Sequence, residues 1–267
     1  MEIINAHAHI YPEKIAAKAT DTIGAFYDIK MEMPAGTADR LIADGSSAGV
    51  TRYVVHSVAT TAHQVRSINE FIKRECEAHP EFIGFITLHQ DLTDEEILFE
   101  VDFALANGFK GIKLHPDFQK FNIDDESAER FYRAADGKLP ILFHIGDDRY
   151  DFSKPHRLAK MAKKYPGVNF IAAHFGGYSE WDQVWKHLIG KNVWFDTSSS
   201  IFKLGAKAAA EIVRAHGIDK ILFGSDYPAV RHDQAISEVL EMGLSPEDNE
   251  KIFYRNAERI LQNDAGL

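Results

Sequence analysis

Cysteine is almost missing: Cys76 is the only one in 267 residues. That excludes an internal disulfide framework and a CxxC metal knuckle, and the polar stretch from Lys73 to His79 around it marks a bystander thiol. No apolar run approaches the length that spans a bilayer, and the N-terminus shows no charged segment followed by an apolar one, so a soluble, cytoplasmic protein without a membrane partner is expected. Positive charge is also scarce, with 30 Lys and Arg against 40 Asp and Glu and a formal net charge of -10. Clustered phosphate contacts need the opposite balance, which excludes a nucleic-acid surface and leaves a small molecule as the expected partner. Linkers rich in Pro, Ser or Gly are absent too, so one domain over 1–267 is the simplest organisation.

What the chain does have is an apolar content of 45%, enough for a full core, arranged in short β-rich runs with helical stretches between them. Eight such runs cover 3–10, 52–59, 82–88, 111–116, 140–146, 169–177, 193–199 and 221–228. Their near-continuous hydrophobicity suits strands buried on both faces. Helical spacing appears over 62–79, 93–107, 127–135, 155–165, 179–189 and 204–216. Thr93 and Glu96 form a capping box, and Gly108, Gly167 and Gly217 stand where left-handed helix ends are usual. Repeated βα units of this number predict an α/β fold, a (β/α)8 TIM barrel. The stretch 11–49 is long for one crossover, so 26–34 is expected to form a loop over the barrel mouth. From Ser245 onward two short helices close the chain, and Trp181, Trp185 and Trp194 read as packing aromatics.

Thirteen histidines are more than a surface needs, and several end apolar runs. Strand one ends with His7 and His9, strand two with His56, strand four with Lys113 and His115, strand five with His144, strand six with His174 and strand eight with Asp226. In a TIM barrel these ends build the active site. Side chains alternate along a strand, so His7 and His9 share one face, as do Lys113 and His115. A His-x-His pair alone proves little. Recurrence of histidine at strands one, five and six with an aspartate on strand eight is the ligand set of a divalent ion, supplied by His7, His9, His144 and Asp226. His56 reads as structural or as a support behind the ligands, not as catalytic. Asp147, Asp148, Arg149, Arg231 and His232 lie on loops after strands five and eight, where substrate is selected, although polar loop residues are commonly just solvated.

The segments Asn5 to Pro12 (NAHAHIYP), Gly111 to Pro116 (GIKLHP), Ala172 to Gly177 (AAHFGG) and Phe223 to Pro228 (FGSDYP) resemble four blocks of the amidohydrolase superfamily. The branch they are most similar to is the amidohydrolase-2 family of aminocarboxymuconate-semialdehyde decarboxylase and its relatives. Tyr254 to Leu261 is similar to that family's C-terminal helix. The resemblance implies one divalent metal ion, zinc first and manganese or iron next, on His7, His9, His144 and Asp226. It implies His174 as acid/base beside the ion, with Asp226 also taking a proton. Lys113 and His115 would contact substrate or brace the mouth, with a Lys113 ion-paired to a neighbouring carboxylate as the structural alternative, and Arg231 is a substrate contact by its place on the loop after strand eight. In binuclear relatives a strand-four Lys is carbamylated and bridges two metals, so two ions remain the alternative at Lys113. A homodimer is implied as well. The expected activity is hydrolysis of a small amide, ester or lactone through metal-activated water. The alternative is nonoxidative decarboxylation, for which the chain is short.

Overall fold

A short apolar run with no polar face must be covered on both sides, and each of the eight runs becomes a strand between a barrel interior and a helical shell. The computed structural model describes residues 2–262. Its strands are β1 (Ile4–His9), β2 (Arg52–His56), β3 (Phe82–Thr87), β4 (Gly111–Leu114), β5 (Ile141–Phe143), β6 (Phe170–Ala172), β7 (Trp194–Asp196) and β8 (Ile221–Leu222). They are parallel and neighbour one another in sequence order. The sheet closes where Ala6 N–H donates to Phe223 O (2.7 Å), His9 N–H to Tyr227 O (2.8 Å) and Asp226 N–H to His7 O (3.0 Å). This is the expected TIM barrel. Every strand stops before its apolar run does, because the later residues, among them His115, His144, His174 and Asp226, turn into the loops at the mouth.

Helices cover the outside over the expected stretches, including Val65–Ala78, Asp94–Ala106, Glu126–Ala135, Pro155–Lys164, Trp181–His187 and Ala206–His216. The Thr93 box forms, with Glu96 N–H donating to Thr93 Oγ1 (3.2 Å) and Thr93 N–H to Glu96 Oε2 (2.7 Å). Gly108 (φ +75°) and Gly217 (φ +107°) are left-handed as expected, but Gly167 is not. It is glycine for another reason: a Cβ there would lie 2.1 Å from Asp136 Oδ1. Trp194 is buried, whereas Trp185 is 46% exposed and packs no core. Ahead of β2 the long crossover holds two helices, Glu13–Tyr27 and Ala38–Ser47. The first extends into the expected loop 26–34 and ends at Asp28 in the left-handed region (φ 52°). After Ser245 come Pro246–Glu250 and Asn256–Leu261, joined by a wider turn at Lys251–Arg255.

Two apolar layers result. Ile112, Leu114, Ile141, Phe143, Phe170, Ala172, Ile221 and Phe223 face the helices. Ile4, Ala6, Val54, Phe85, Leu142, Ile171, Trp194 and Leu222 fill the barrel floor with Ala257 and Ile260 of the last helix. The Phe85 ring lies against Gly111, where a Cβ would meet three ring atoms at 2.4–2.7 Å. Gly111→Ala should therefore overpack this floor and cost about 1–3 kcal/mol, read as a lowered urea midpoint. An unchanged midpoint would show that the ring moves aside freely.

Candidate active site

Strict alternation from the inward residues Ile4 and Ala6 would turn His7 and His9 outward. A β-bulge corrects this. Asn5 pairs with Tyr53 but Ala8 pairs with Val55, so β1 spends three steps where β2 spends two. The extra residue re-aims the strand, leaving Ala8 and Ile10 in the outer layer and both imidazoles at the mouth. A similar device acts after β6. Ala173 already faces inward, and His174 follows it with φ 62°, a left-handed conformation that sends its ring to the same side. Asp226 also has φ 62°. Such strained backbone costs about 1–3 kcal/mol per residue and gathers at functional sites.

His7 Nε2 lies 3.3 Å from His9 Nε2, and Asp226 Oδ1 lies 3.4 Å from each. Four tetrahedral donors bonded to zinc at about 2.0–2.1 Å stand about 3.3–3.4 Å apart, so this triangle fits a divalent ion. His7 Nδ1–H donates to Asp196 Oδ2 (2.9 Å), which leaves the Nε2 lone pair facing the triangle. Lys113 Nζ donates to that lone pair (3.0 Å). Burial lowers Lys113 to about 8, against the opposing pull of Asp226 and Asp196. Burial would raise the Asp226 carboxyl, but His7, His9 and His174 hold it well below the usual carboxylate range. Its second oxygen accepts from Ser199 Oγ (2.7 Å).

Across the mouth, His144 Nδ1 and His174 Nε2 are 3.0 Å apart. His174 Nδ1 faces the Ser198 carbonyl (3.0 Å), an acceptor only, so it carries the hydrogen and Nε2 is the lone pair. Trp181 Nε1 donates to the His174 carbonyl (3.0 Å). Burial lowers His9 and His174 to about 4 and holds His56, His115 and His144 well below the usual imidazole value. All five are neutral near pH 7, the form that binds metals. His56 is buried with neither ring nitrogen hydrogen-bonded. It stands 4.4 Å from the His9 ring centre and 5.1 Å from that of His7, closer to the donors than a purely structural residue need be.

The helix Glu13–Tyr27 roofs this floor. Tyr27, kept protonated by burial, places its hydroxyl 2.7 Å from His115 Nε2 and 3.2 Å from His144 Nε2. His115 is sandwiched between Phe118 (3.8 Å, 12°) and His144 (4.1 Å, 8°). Arg149 clamps the helix end: it forks onto Asp147 (2.9 and 2.6 Å), donates to Phe26 O (2.5 Å) and lies over the Phe26 and Tyr27 rings (4.7 and 5.1 Å). Asp147 and Arg149 thus brace the roof instead of being merely solvated. The partly open cavity offers water about 30 Å³, room for about two molecules.

His7, His9, His144, His174, Lys113, His115 and Asp226 all line this cavity. Arg231 does not: it is exposed and forks onto Asp233 (3.0 and 2.9 Å). Sequence reasoning missed Tyr27, Asp117, Tyr178 and Asp196. Asp196 closes the apolar run of β7 and was the one legible signal, a carboxylate at a strand end. Asp117 follows Pro116 and is buried behind His144, its Oδ2 3.8 Å from His144 Nε2. Burial pushes its carboxyl up to about 7, against the pull of Ser153 and Lys154.

None of the curated proteins matches the chain in sequence. Among solved structures, it is similar to a TIM-barrel protein of Bordetella bronchiseptica, with 16% identity, a TM-score of 0.78 and 100% of both chains covered. It is also similar to a dihydroxybenzoic acid decarboxylase of Polaromonas with bound manganese and 2-nitroresorcinol, at 17% identity and a TM-score of 0.75, covering 98% of this chain and 97% of the other. A third is the 5-carboxyvanillate decarboxylase of Novosphingobium aromaticivorans complexed with manganese and a nitrobenzoic acid, at 17% identity and a TM-score of 0.75, covering 97% and 96%. At these identities the likeness is one of fold. A model of the amidohydrolase family, however, matches residues 4–262, so the chain belongs to the amidohydrolase family.

Proposed function

We propose that the protein is a metal-dependent, nonoxidative decarboxylase of a small aromatic or conjugated carboxylic acid. The observation that carries this reading is the cavity wall: Tyr27, Ile29, Met31, Phe118 and Tyr178 surround a floor of imidazoles, Lys113 and Asp226. Hydrolysis of an amide, ester or lactone, the first expectation from sequence, has no comparable support. The decarboxylase neighbours favour the same order.

His7, His9 and Asp226 would hold one divalent ion, with His144 as fourth donor; when bound, the ion supplies positive charge that orients and polarises substrate oxygens. The apolar wall removes water from the substrate carboxylate, which favours its departure as neutral carbon dioxide with the charge left on the substrate carbon. The C–C bond to the carboxylate breaks, its electron pair stays on the ring carbon, and a proton replaces the lost group. His174 is placed for that transfer. Its Nε2 lone pair would take up a proton from solvent as the anionic substrate binds and give it to that carbon, while Ser198 O keeps the other nitrogen protonated.

Elemental analysis of protein purified without added metal should find about one divalent ion per chain; no ion would remove the basis of this function. Carbon dioxide release should appear with hydroxylated benzoates or muconate-like acids and be lost after chelation. Turnover of lactones or amides without carbon dioxide would restore hydrolysis as the activity. His174→Asn should keep the ion and lower kcat by about 10²–10⁴-fold; loss of the ion would make His174 a ligand. Arg149→Ala, which removes the clamp, should speed hydrogen exchange in 20–27. Unchanged exchange would mean that other contacts hold the roof.

A further inference from the structure

The Asp117 carboxylate is the least explained polar group near the site. It is buried, and neither oxygen has a partner at normal hydrogen-bond distance and angle; the Ser153 hydroxyl and the Lys154 ammonium act on it more weakly. A buried ionisable group left this way is costly, so its neighbours should show what it serves. The facing group is His144 Nε2, at 3.8 Å from Oδ2. Asp147, whose ligand atom stands within 4.8 Å of both, is already saturated by Arg149.

The tautomer of His144 decides whether the pair can bond. His174 Nε2 is a lone pair, so a hydrogen on His144 Nδ1 satisfies the 3.0 Å contact, and His144 Nε2 is then an acceptor. Tyr27 O–H supplies the donor at 3.2 Å. Its oxygen is meanwhile filled by His115 Nε2–H at 2.7 Å, because His115 Nδ1 accepts from Phe118 N–H (3.3 Å). In this arrangement Asp117 receives no hydrogen from His144. An ion on His144 Nδ1 would displace that hydrogen, and the neutral ring would then carry its hydrogen on Nε2. Asp117 and the Tyr27 oxygen are the acceptors within reach, and the carboxylate is the stronger one and the one with room for a further donor.

Resting on the reading of His144 as a metal ligand, we propose that Asp117 is a positioning residue: the carboxylate that accepts His144 Nε2–H once the ion is bound and thereby sets metal affinity. Metal-bound histidines commonly donate their outer N–H to such a group. The site already contains one instance, since Asp196 holds His7 in the same manner at 2.9 Å. Asp117 would do for the ligand on β5 what Asp196 does for the ligand on β1.

The test is zinc affinity of chelator-stripped protein, measured by competition with a chromophoric chelator, for wild type, Asp117→Asn and Asp117→Leu. Removal of such a partner weakens binding about 10–100-fold, so the leucine variant should approach the upper figure. The asparagine variant keeps a neutral acceptor and should fall between it and wild type. Both stripped variants should melt at or above the wild-type temperature, because each removes an uncompensated buried carboxylate. Unchanged affinity overturns the proposal, as does a lower melting temperature in the stripped asparagine variant, which would mark a structural role. Two zinc ions in wild type with one lost in the variants overturn it differently, by making Asp117 a ligand. If the variants fail to fold, nitrogen-15 spectra of wild-type histidines decide: His144 should carry its hydrogen on Nδ1 without zinc and on Nε2 with it. A hydrogen kept on Nδ1 in the zinc form overturns the proposal. Wild type that binds no zinc overturns the metal reading itself and this proposal with it.

Discussion

The Asp196 carboxylate accepts from His7 Nδ1 (2.9 Å), His174 N–H (3.0 Å), Ser198 N–H (3.0 Å) and Ser198 Oγ (2.5 Å), and these bonds join the ends of β1, β6 and β7. A fully buried charge is costly unless it is saturated in this way. Saturation gives it a directing role: it fixes which nitrogen of His7 faces the donor triangle and holds the left-handed backbone at His174 in place. Ser198 Oγ also touches the His7 and His174 imidazoles at 3.0–3.1 Å, so the two rings share one support. Without that support the lone pairs of His7 and His174 would have no reason to face the same space.

The roof depends on a different balance. The helix Glu13–Tyr27 buries only Ala16, Thr20 and Gly24 among its own residues. Its position over the mouth therefore rests largely on its C-terminal end, where Arg149 holds Phe26 O and the Tyr27 hydroxyl meets His115 and His144. Apolar packing of Phe26 on Phe118 (4.6 Å) adds to this. A cover held by a few polar and aromatic contacts can open at modest cost, unlike a helix sunk in the shell. It also brings an aromatic hydroxyl into the donor set, which links closure to the hydrogen positions on His115 and His144.

Eight apolar runs were readable because a parallel barrel buries strands on both faces, and their number and order suffice for the fold. The mouth residues His7, His9, Lys113, His115, His144, His174 and Asp226 were readable because each ends such a run. Other features left weaker marks. The bulge between Asn5 and Ala8 has no local signature, since alternation predicts correctly that His7 and His9 share a face but not which face. Gly167 looked like a helix terminator and proved to be a site of close approach to Asp136. Arg231 looked like a substrate contact from its loop, yet Asp233 two residues on draws it to the surface.

By itself, then, the sequence determined the barrel, the family and the residue types at the mouth, because these follow from local hydrophobicity and from motifs contiguous along the chain. Tertiary structure alone decided which nitrogen of each imidazole faces the cavity, which carboxylate is saturated and which has room for a further donor, and that Tyr27 from the first crossover closes over strands four and five. Those facts concern groups 22 to 189 residues apart, such as His174 with Asp196 and His7 with Asp196. Hydrogen-bond direction depends on the partner that the fold delivers, and no spacing along the chain encodes it.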